Sequence, residues 1–249
     1  MQVIYILWLR QIKRYLRSKS RIVGSLGQPL LFLIALGFGF GPIYQQAGGG
    51  NYLQFLTPGI IAMSILFTAL FSGIEIIWDR QFGFLKETMV APVSRLKIML
   101  GRTLGGATVA TLQGLIVFII SMLIGFHSER PALILLTVFI MFFIALLFAS
   151  LGTVIAALLK DMQGFQLIMN FLVMPIFFLS GALFPLKGLP PAIGTITRFD
   201  PLSYGVDALR GSLIVGGSHF GLLTDSIVLV LIVAALLYLG SYLFSKMQA

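Results

Sequence analysis

Few groups in this 249-residue chain could do acid–base, nucleophilic or metal chemistry: eight carboxylates, two histidines and no cysteine. Their spacing builds no site. His127 and His219 sit in separate polar stretches, with no H-E-x-x-H or comparable ligand spacing. No G-x-S-x-G elbow offers an activated serine. No G-x-x-x-x-G-K-[ST] loop is available to cradle nucleotide phosphates. Catalysis and metal binding are therefore not expected, and any ATP consumed must be bound by another chain.

The charge that is present gathers in one island, Glu75 to Arg102, with the sequence EIIWDRQFGFLKETMVAPVSRLKIMLGR. We read it as a cytoplasmic loop holding a short helix, Asp79 to Val90, that docks on a soluble partner. Its candidate docking residues are Asp79, Arg80, Phe82, Phe84, Lys86 and Glu87. The pattern leaves open an interfacial helix without a partner. Glu75 lies at the inner end of an apolar run, where a charge is cheaper than the ~2.5–3.5 kcal/mol it costs mid-membrane. It is expected to pair with Arg80 or Arg102. A Glu75–Arg102 pair would act as a hinge that transmits motion of the loop. The alternative is a carboxylate that snorkels to water.

Polar side chains inside apolar runs are costly unless buried or wetted. Gln28, Gln113, Gln166 and Asn170 are of this kind. Gln163, Gln166 and Asn170 recur at three and four residues and share one helix stripe, which Met174, Phe177 and Phe178 continue. A groove polar at one end and lined by Met and Phe at the other suits an amphiphile. Helix–helix hydrogen bonds worth ~0.6–2 kcal/mol each are the equal alternative. Gly37-x-x-x-Gly41 and Gly101-x-x-x-Gly105 permit close helix approach. Pro175 is expected to kink its helix.

These residues need a membrane to position them. The chain is 58% hydrophobic and only 10% charged, against ~25% charged in soluble domains, so it is integral to a membrane. Residues 1–21 read as an amphipathic interfacial helix, with Arg10, Lys13, Arg14, Arg17 and Arg21 on one side and Ile4, Trp8, Ile12 and Leu16 on another. Six apolar runs follow, at 22–43, 53–77, 98–126, 131–159, 165–186 and 222–245. Each is long enough for the ~20 helical residues that cross a bilayer. The runs are continuous rather than alternating, which selects helices over a barrel. The expected fold is all-α, a single polytopic domain over residues 1–249.

With both termini in the cytoplasm, 13 of the 17 Lys and Arg residues fall inside and four outside. The net charge of +9 is thus a topology signal, and no nucleic-acid partner is required. The segment between runs five and six, broken by Pro190-Pro191 and Asp200-Pro201, is expected to form two short outer helices, Ala192–Arg198 and Ser203–Val215. No cleavable leader is evident before Ser18.

Two stretches carry a family resemblance: LKETMVAPVSRLKIMLGR, Leu85 to Arg102, and FLSGALFPLKGLPPAIGTITRFDPLSYGVDALRG, Phe178 to Gly211. With the six runs, they resemble an ABC-2 type transporter permease, nearest the daunorubicin-resistance and Nod-factor-export group. The resemblance covers essentially the whole chain. It implies a homodimer in the cell (inner or plasma) membrane, bound to two copies of an ATP-binding subunit that holds the Mg-ATP. It implies that residues 79–90 are the coupling helix. It also implies a pathway along the protomer seam, here Gln28, Phe32, Phe67, Phe71, Gln166, Asn170, Met174 and Phe177. The family's polysaccharide exporters tend to have aromatic-rich channels and lack the GALFPLxxLP match. The resemblance therefore favours a drug or lipid-like substrate over a polysaccharide or glycolipid. A membrane scaffold without a transport cycle would share this topology.

Overall fold

The structure, a computed structural model, describes residues 2–48, 50–82, 93–159, 161–186, 188 and 190–246. Among the described residues it is all helical. The helices are α1 (Gln2–Arg17), α2 (Lys19–Gly39), α3 (Gly41–Gln46), α4 (Tyr52–Phe71), α5 (Ile74–Gln81) and α6 (Arg95–Ile124). After a single 3-10 turn at Pro131–Leu133 come α7 (Ile134–Leu158), α8 (Met162–Leu179), α9 (Pro191–Phe199), α10 (Pro201–Leu213) and α11 (Leu222–Lys246). Six helical stretches are long and apolar enough to cross a bilayer: α2, α4 with α5, α6, the 3-10 turn with α7, α8, and α11.

The expected runs match these spans with shifted ends. The first span stops at Gly39 rather than residue 43, and α3 takes up the remainder. The fifth stops at Leu179 rather than residue 186, because Gly181 turns the chain at a φ of +75°, a conformation that glycine adopts without a Cβ clash. Helix α8 runs through Pro175 unbroken. The two short helices expected between the fifth and sixth spans are present, each one or two residues displaced, with Pro191 and Pro201 at their first turns. Proline suits that position because its missing N–H would have no intrahelical partner there.

Helix α4 is the centre. The span it forms with α5 has 72% of its most apolar stretch buried, against 17% for α2 and 22% each for α8 and α11. Leu56, Ile60, Ile61, Ile65 and Leu66 of α4 are fully buried among α2, α6, α7, α8 and α10. The second span breaks at Ser72-Gly73, where Gly73 meets the backbone of Gly152 on α7. A Cβ on Gly73 would stand 2.4 Å from that carbonyl oxygen.

Helix α1 does not float on the bundle. It lies along α6, where Gly101 and Gly105 make room for it. A Cβ on Gly101 would sit 2.9 Å from Leu7 Cβ and 3.0 Å from the Ile4 carbonyl. Trp8 Nε1 donates to Thr108 Oγ1 at 2.9 Å, and the Tyr15 hydroxyl donates to Gln113 Oε1. The Gly101-x-x-x-Gly105 spacing is therefore a helix seat. Gly41 of the other pair has nothing within 4 Å. Gly101→Val should cost about 1–3 kcal/mol through overpacking, read as a lower unfolding midpoint in detergent. Gly39→Ala, which meets nothing within 4 Å, should change the midpoint little.

Candidate functional site

The site grows from two carboxylates one helical turn apart. Glu75 and Asp79 lie on one face of α5 and are 4% and 7% exposed. Burying a carboxylate unpaired costs several kcal/mol, so each has drawn cations from other helices. Arg102 of α6, 5% exposed, brings Nη2 to 2.5 Å from Asp79 Oδ2. Arg10 of α1 stands 3.8 Å from the same oxygen. Arg14 and Arg21 hold the two oxygens of Glu75 at 3.4 and 2.8 Å. Arg10 and Arg14 are also one turn apart, so α1 and α5 meet in antiparallel register with two matched charge pairs.

Around this cluster, Arg80 Nη1 donates to the Leu159 carbonyl at 3.4 Å. Arg95 Nη1 donates to the Ser245 carbonyl at 2.7 Å. One end of the bundle thus gathers α1, the start of α2, α5, the start of α6 and the ends of α7 and α11. We call it the basic end. Outside the spans, burial pushes the Tyr15 phenol up from its ordinary value.

Three expectations change here. Glu75 does not pair with Arg102 or Arg80. The expected hinge pair is replaced by Glu75 with Arg14 and Arg21, and by Arg102 with Asp79, because α5 turns both carboxylates inward one turn apart. Glu75 does not snorkel, being 4% exposed. Asp79 is not offered to a partner, since its carboxylate is buried against Arg102. Phe82 is 72% exposed at the end of α5. Phe84, Lys86 and Glu87, and most of the expected 79–90 helix, lie outside the described residues.

The expected pathway residues divide into three groups. Gln28, Phe67 and Phe71 line a cavity of about 250 Å³ with Tyr15, Arg21 and Ser64, between the end of α1, α2 and α4. Ser64 Oγ is buried there without a hydrogen-bond partner. The Phe67 and Phe71 rings are parallel within 7°. Phe32 meets Phe177 edge-on at 6.3 Å, joining α2 to α8, and Phe177 is buried. Gln166, Asn170 and Met174 instead stand exposed along α8, with Gln163 on the same side.

The sequence reading missed Arg14 and Arg21 as partners of Glu75, and Ser64 and Tyr15 in the cavity. A signal existed for the arginines: the four-residue spacing of Arg10 and Arg14 equals that of Glu75 and Asp79.

At the opposite end, the Phe178 to Gly211 stretch builds a second polar knot. Arg210 Nη2 donates to the Gly181 carbonyl at 3.0 Å and the Phe55 carbonyl at 3.3 Å. Its guanidinium lies 4.1 Å over the Phe55 ring. Burial pulls the Arg210 value down to about 10, with Asp207 opposing. Asp207 accepts from the His219 and Phe220 amides at 2.7 Å each and from Ser218 Oγ at 3.0 Å. Asp200 caps α10, accepting from the Leu202 amide at 2.9 Å, and burial raises its carboxyl to about 7. Among the described residues, no cluster of three metal-ligating side chains forms.

Six apolar helices long enough to cross a bilayer, with an ion-paired flanking helix, define a polytopic membrane domain. The ABC-2 type transporter family model matches residues 2–214, and the chain belongs to that family. It is 34% identical to Nodulation protein J of Rhizobium leguminosarum bv. trifolii over 208 residues, covering 83% of this chain and 76% of that one. It is 31% identical to Nodulation protein J of Rhizobium meliloti (strain 1021) over 211 residues, covering 82% and 80%.

Two outcomes follow from the geometry. Asp79→Ala should destabilise by about 3–5 kcal/mol by stranding buried Arg102. The double variant Asp79→Leu/Arg102→Met should cost less than the sum of the singles, a comparison made by a double-mutant cycle of detergent unfolding. Asp200 has a folded pKa above its unfolded one, so its stabilising contribution is full below the unfolded value of 3.8 and lost as pH rises through about 7. The unfolding midpoint should fall between about pH 4 and pH 7 in the native chain. Asp200→Asn, which keeps the cap, should flatten that fall.

Proposed function

We propose that this chain is the permease subunit of an ATP-driven exporter that moves a hydrophobic or amphiphilic, drug-like or lipid-like substrate from the cytoplasm or inner leaflet. Two copies of a separate ATP-binding protein hydrolyse the nucleotide, and a second copy of this chain completes the pathway. The carrying observation is the buried Glu75/Asp79 cluster at the foot of the second span. It joins α5, whose next residues are the docking segment 82–90, to α1, α2 and α6. Movement of a docked ATPase would pull on α5, and the ion pairs would carry that pull into three neighbouring helices.

The basic end faces the cytoplasm in this reading, in keeping with the excess of Lys and Arg there. The exposed side of α8 supports a second copy. Gln163, Gln166 and Asn170 are amides without burial, and hydrocarbon would leave their hydrogen bonds unmet at a cost of several kcal/mol. A partner protomer or a wet corridor between protomers satisfies them. The 250 Å³ cavity with Gln28, Ser64, Phe67 and Phe71 then lies beside that corridor as a polar and aromatic recess. No ATP, and no cofactor, is held by this chain in the reading.

The test is co-purification with the ATP-binding protein, followed by ATP hydrolysis measured against a panel of drugs, lipids and glycolipids. The native pair should bind stoichiometrically and at least one amphiphile should stimulate hydrolysis. Deletion of residues 82–88 should abolish the association. Retained stoichiometric binding would reject the docking assignment, and transport by this chain alone would reject the reading as a whole. Stimulation by glycolipids only would move the substrate class.

A further inference from the structure

We propose that the corner between α1 and α2 is a binding site for the phosphate headgroup of an anionic phospholipid. An open cavity of about 930 Å³ lies there, lined by Arg10, Lys13, Arg14, Arg17 and Lys19 with no carboxylate in its wall. The nearby acids are already committed. Asp79 is held at 2.5 Å by Arg102, leaving Arg10 at 3.8 Å as its outer partner. Glu75 is shared by Arg14 and Arg21. Among the described residues, no ion pair reaches Lys13, Arg17 or Lys19. Like charges around one concavity repel, and an anion entering it relieves that repulsion.

The surroundings select the anion. The same two helices leave Ile6, Leu16 and Val23 between 58% and 70% exposed, and Ile6 and Leu9 line the cavity beside the cations. A phospholipid places a phosphate and acyl chains side by side, so it covers both features. Free phosphate or an acidic peptide would neutralise the cations and leave the apolar side uncovered. The site is also held in shape. Trp8 is anchored to Thr108, Tyr15 to Gln113, and Gly101 and Gly105 seat α1 against α6. Binding therefore orders little that is not already ordered, and each basic side chain near an anionic headgroup adds attraction.

The inference rests on the inward placement of the basic end proposed above, and not on transport. The test accordingly uses the chain alone, so that a failure to bind lipid and a failure to transport are separate results. The purified chain in a neutral detergent is titrated with phosphatidylglycerol and, in parallel, with phosphatidylcholine. Lipid retained in native mass spectra and the unfolding midpoint are read. Phosphatidylglycerol should be retained and raise the midpoint, with added salt weakening the effect, and phosphatidylcholine should do neither. The triple variant Lys13→Gln, Arg17→Gln, Lys19→Gln should weaken phosphatidylglycerol binding roughly a hundred-fold, at about five-fold per cation. Lys13→Arg with Lys19→Arg should bind as the native chain does. Should the triple variant fail to fold, Lys13→Gln and Lys19→Gln singly should each weaken binding by roughly five-fold. Equal retention of both lipids, or unchanged affinity in these variants, would overturn the site. Stabilisation by inorganic phosphate equal to that by phosphatidylglycerol would make it a soluble-anion site. Loss of the ATP-binding protein with unchanged lipid binding would make it a protein-docking surface. Either result would also overturn the proposal.

Discussion

Two carboxylates buried at the foot of the second span constrain everything near them. Burying Glu75 and Asp79 to 4% and 7% exposure would cost several kcal/mol each without cations brought to them. Arg102 comes from α6, Arg21 from α2, and Arg10 and Arg14 from α1. The register of α1 on the bundle follows, because two matched pairs one turn apart fix both its height and its direction. The glycine seat on α6 then lets α1 approach closely enough for the pairing to occur. Charge and close packing thus specify the same docked position.

The far end is tied by different chemistry. Arg210 reaches the carbonyl of Gly181, in the turn after α8, and that of Phe55, near the start of α4. Asp207 gathers three donors from the loop before α11. Between the two ends the spans are unequally held. The core is α4 with α6 and α7, whereas α2 and α8 bury little of their apolar windows. Phe32 on Phe177 is the ring contact that joins those two. Displacing α2 from α8 breaks few contacts, while displacing α4 from α7 would open the backbone approach at Gly73 and Gly152. Resistance to movement is therefore lowest at the side of the bundle where the amides of α8 stand uncovered.

Most of the architecture could be read from hydropathy, because a bilayer admits few solutions for long apolar runs. The spans, the flanking helix and the two short helices near Pro191 and Pro201 were all legible this way. Span ends were less so: α2 ends at Gly39, and Gly181 turns the chain after α8, inside runs that remain apolar. The ion pairs were half legible. Glu75 and Arg102 stood out as charges beside hydrocarbon, yet pairing them by nearness in sequence was mistaken, since α1 returns to α5 across more than sixty residues of chain. The α1 arginines were read as the basic side of an interfacial helix, and helical periodicity alone cannot tell such a side from one that meets two acids. Gln28, Phe67 and Phe71 share a cavity because α2 and α4 are neighbours. Gln166 and Asn170 point elsewhere, a fact that stripe periodicity on α8 leaves undetermined.

The account holds that this chain moves substrate while a second protein hydrolyses ATP, with the Glu75 and Asp79 cluster joining the two. The most direct measurement is substrate flux per ATP hydrolysed in proteoliposomes containing the chain and its ATP-binding partner, compared with Glu75→Gln. The account predicts that the variant still binds the partner and still permits ATP hydrolysis while flux per ATP falls at least ten-fold, equivalent to about 1.4 kcal/mol of lost coupling. Unchanged flux per ATP in Glu75→Gln, or flux from this chain without partner and ATP, would contradict it.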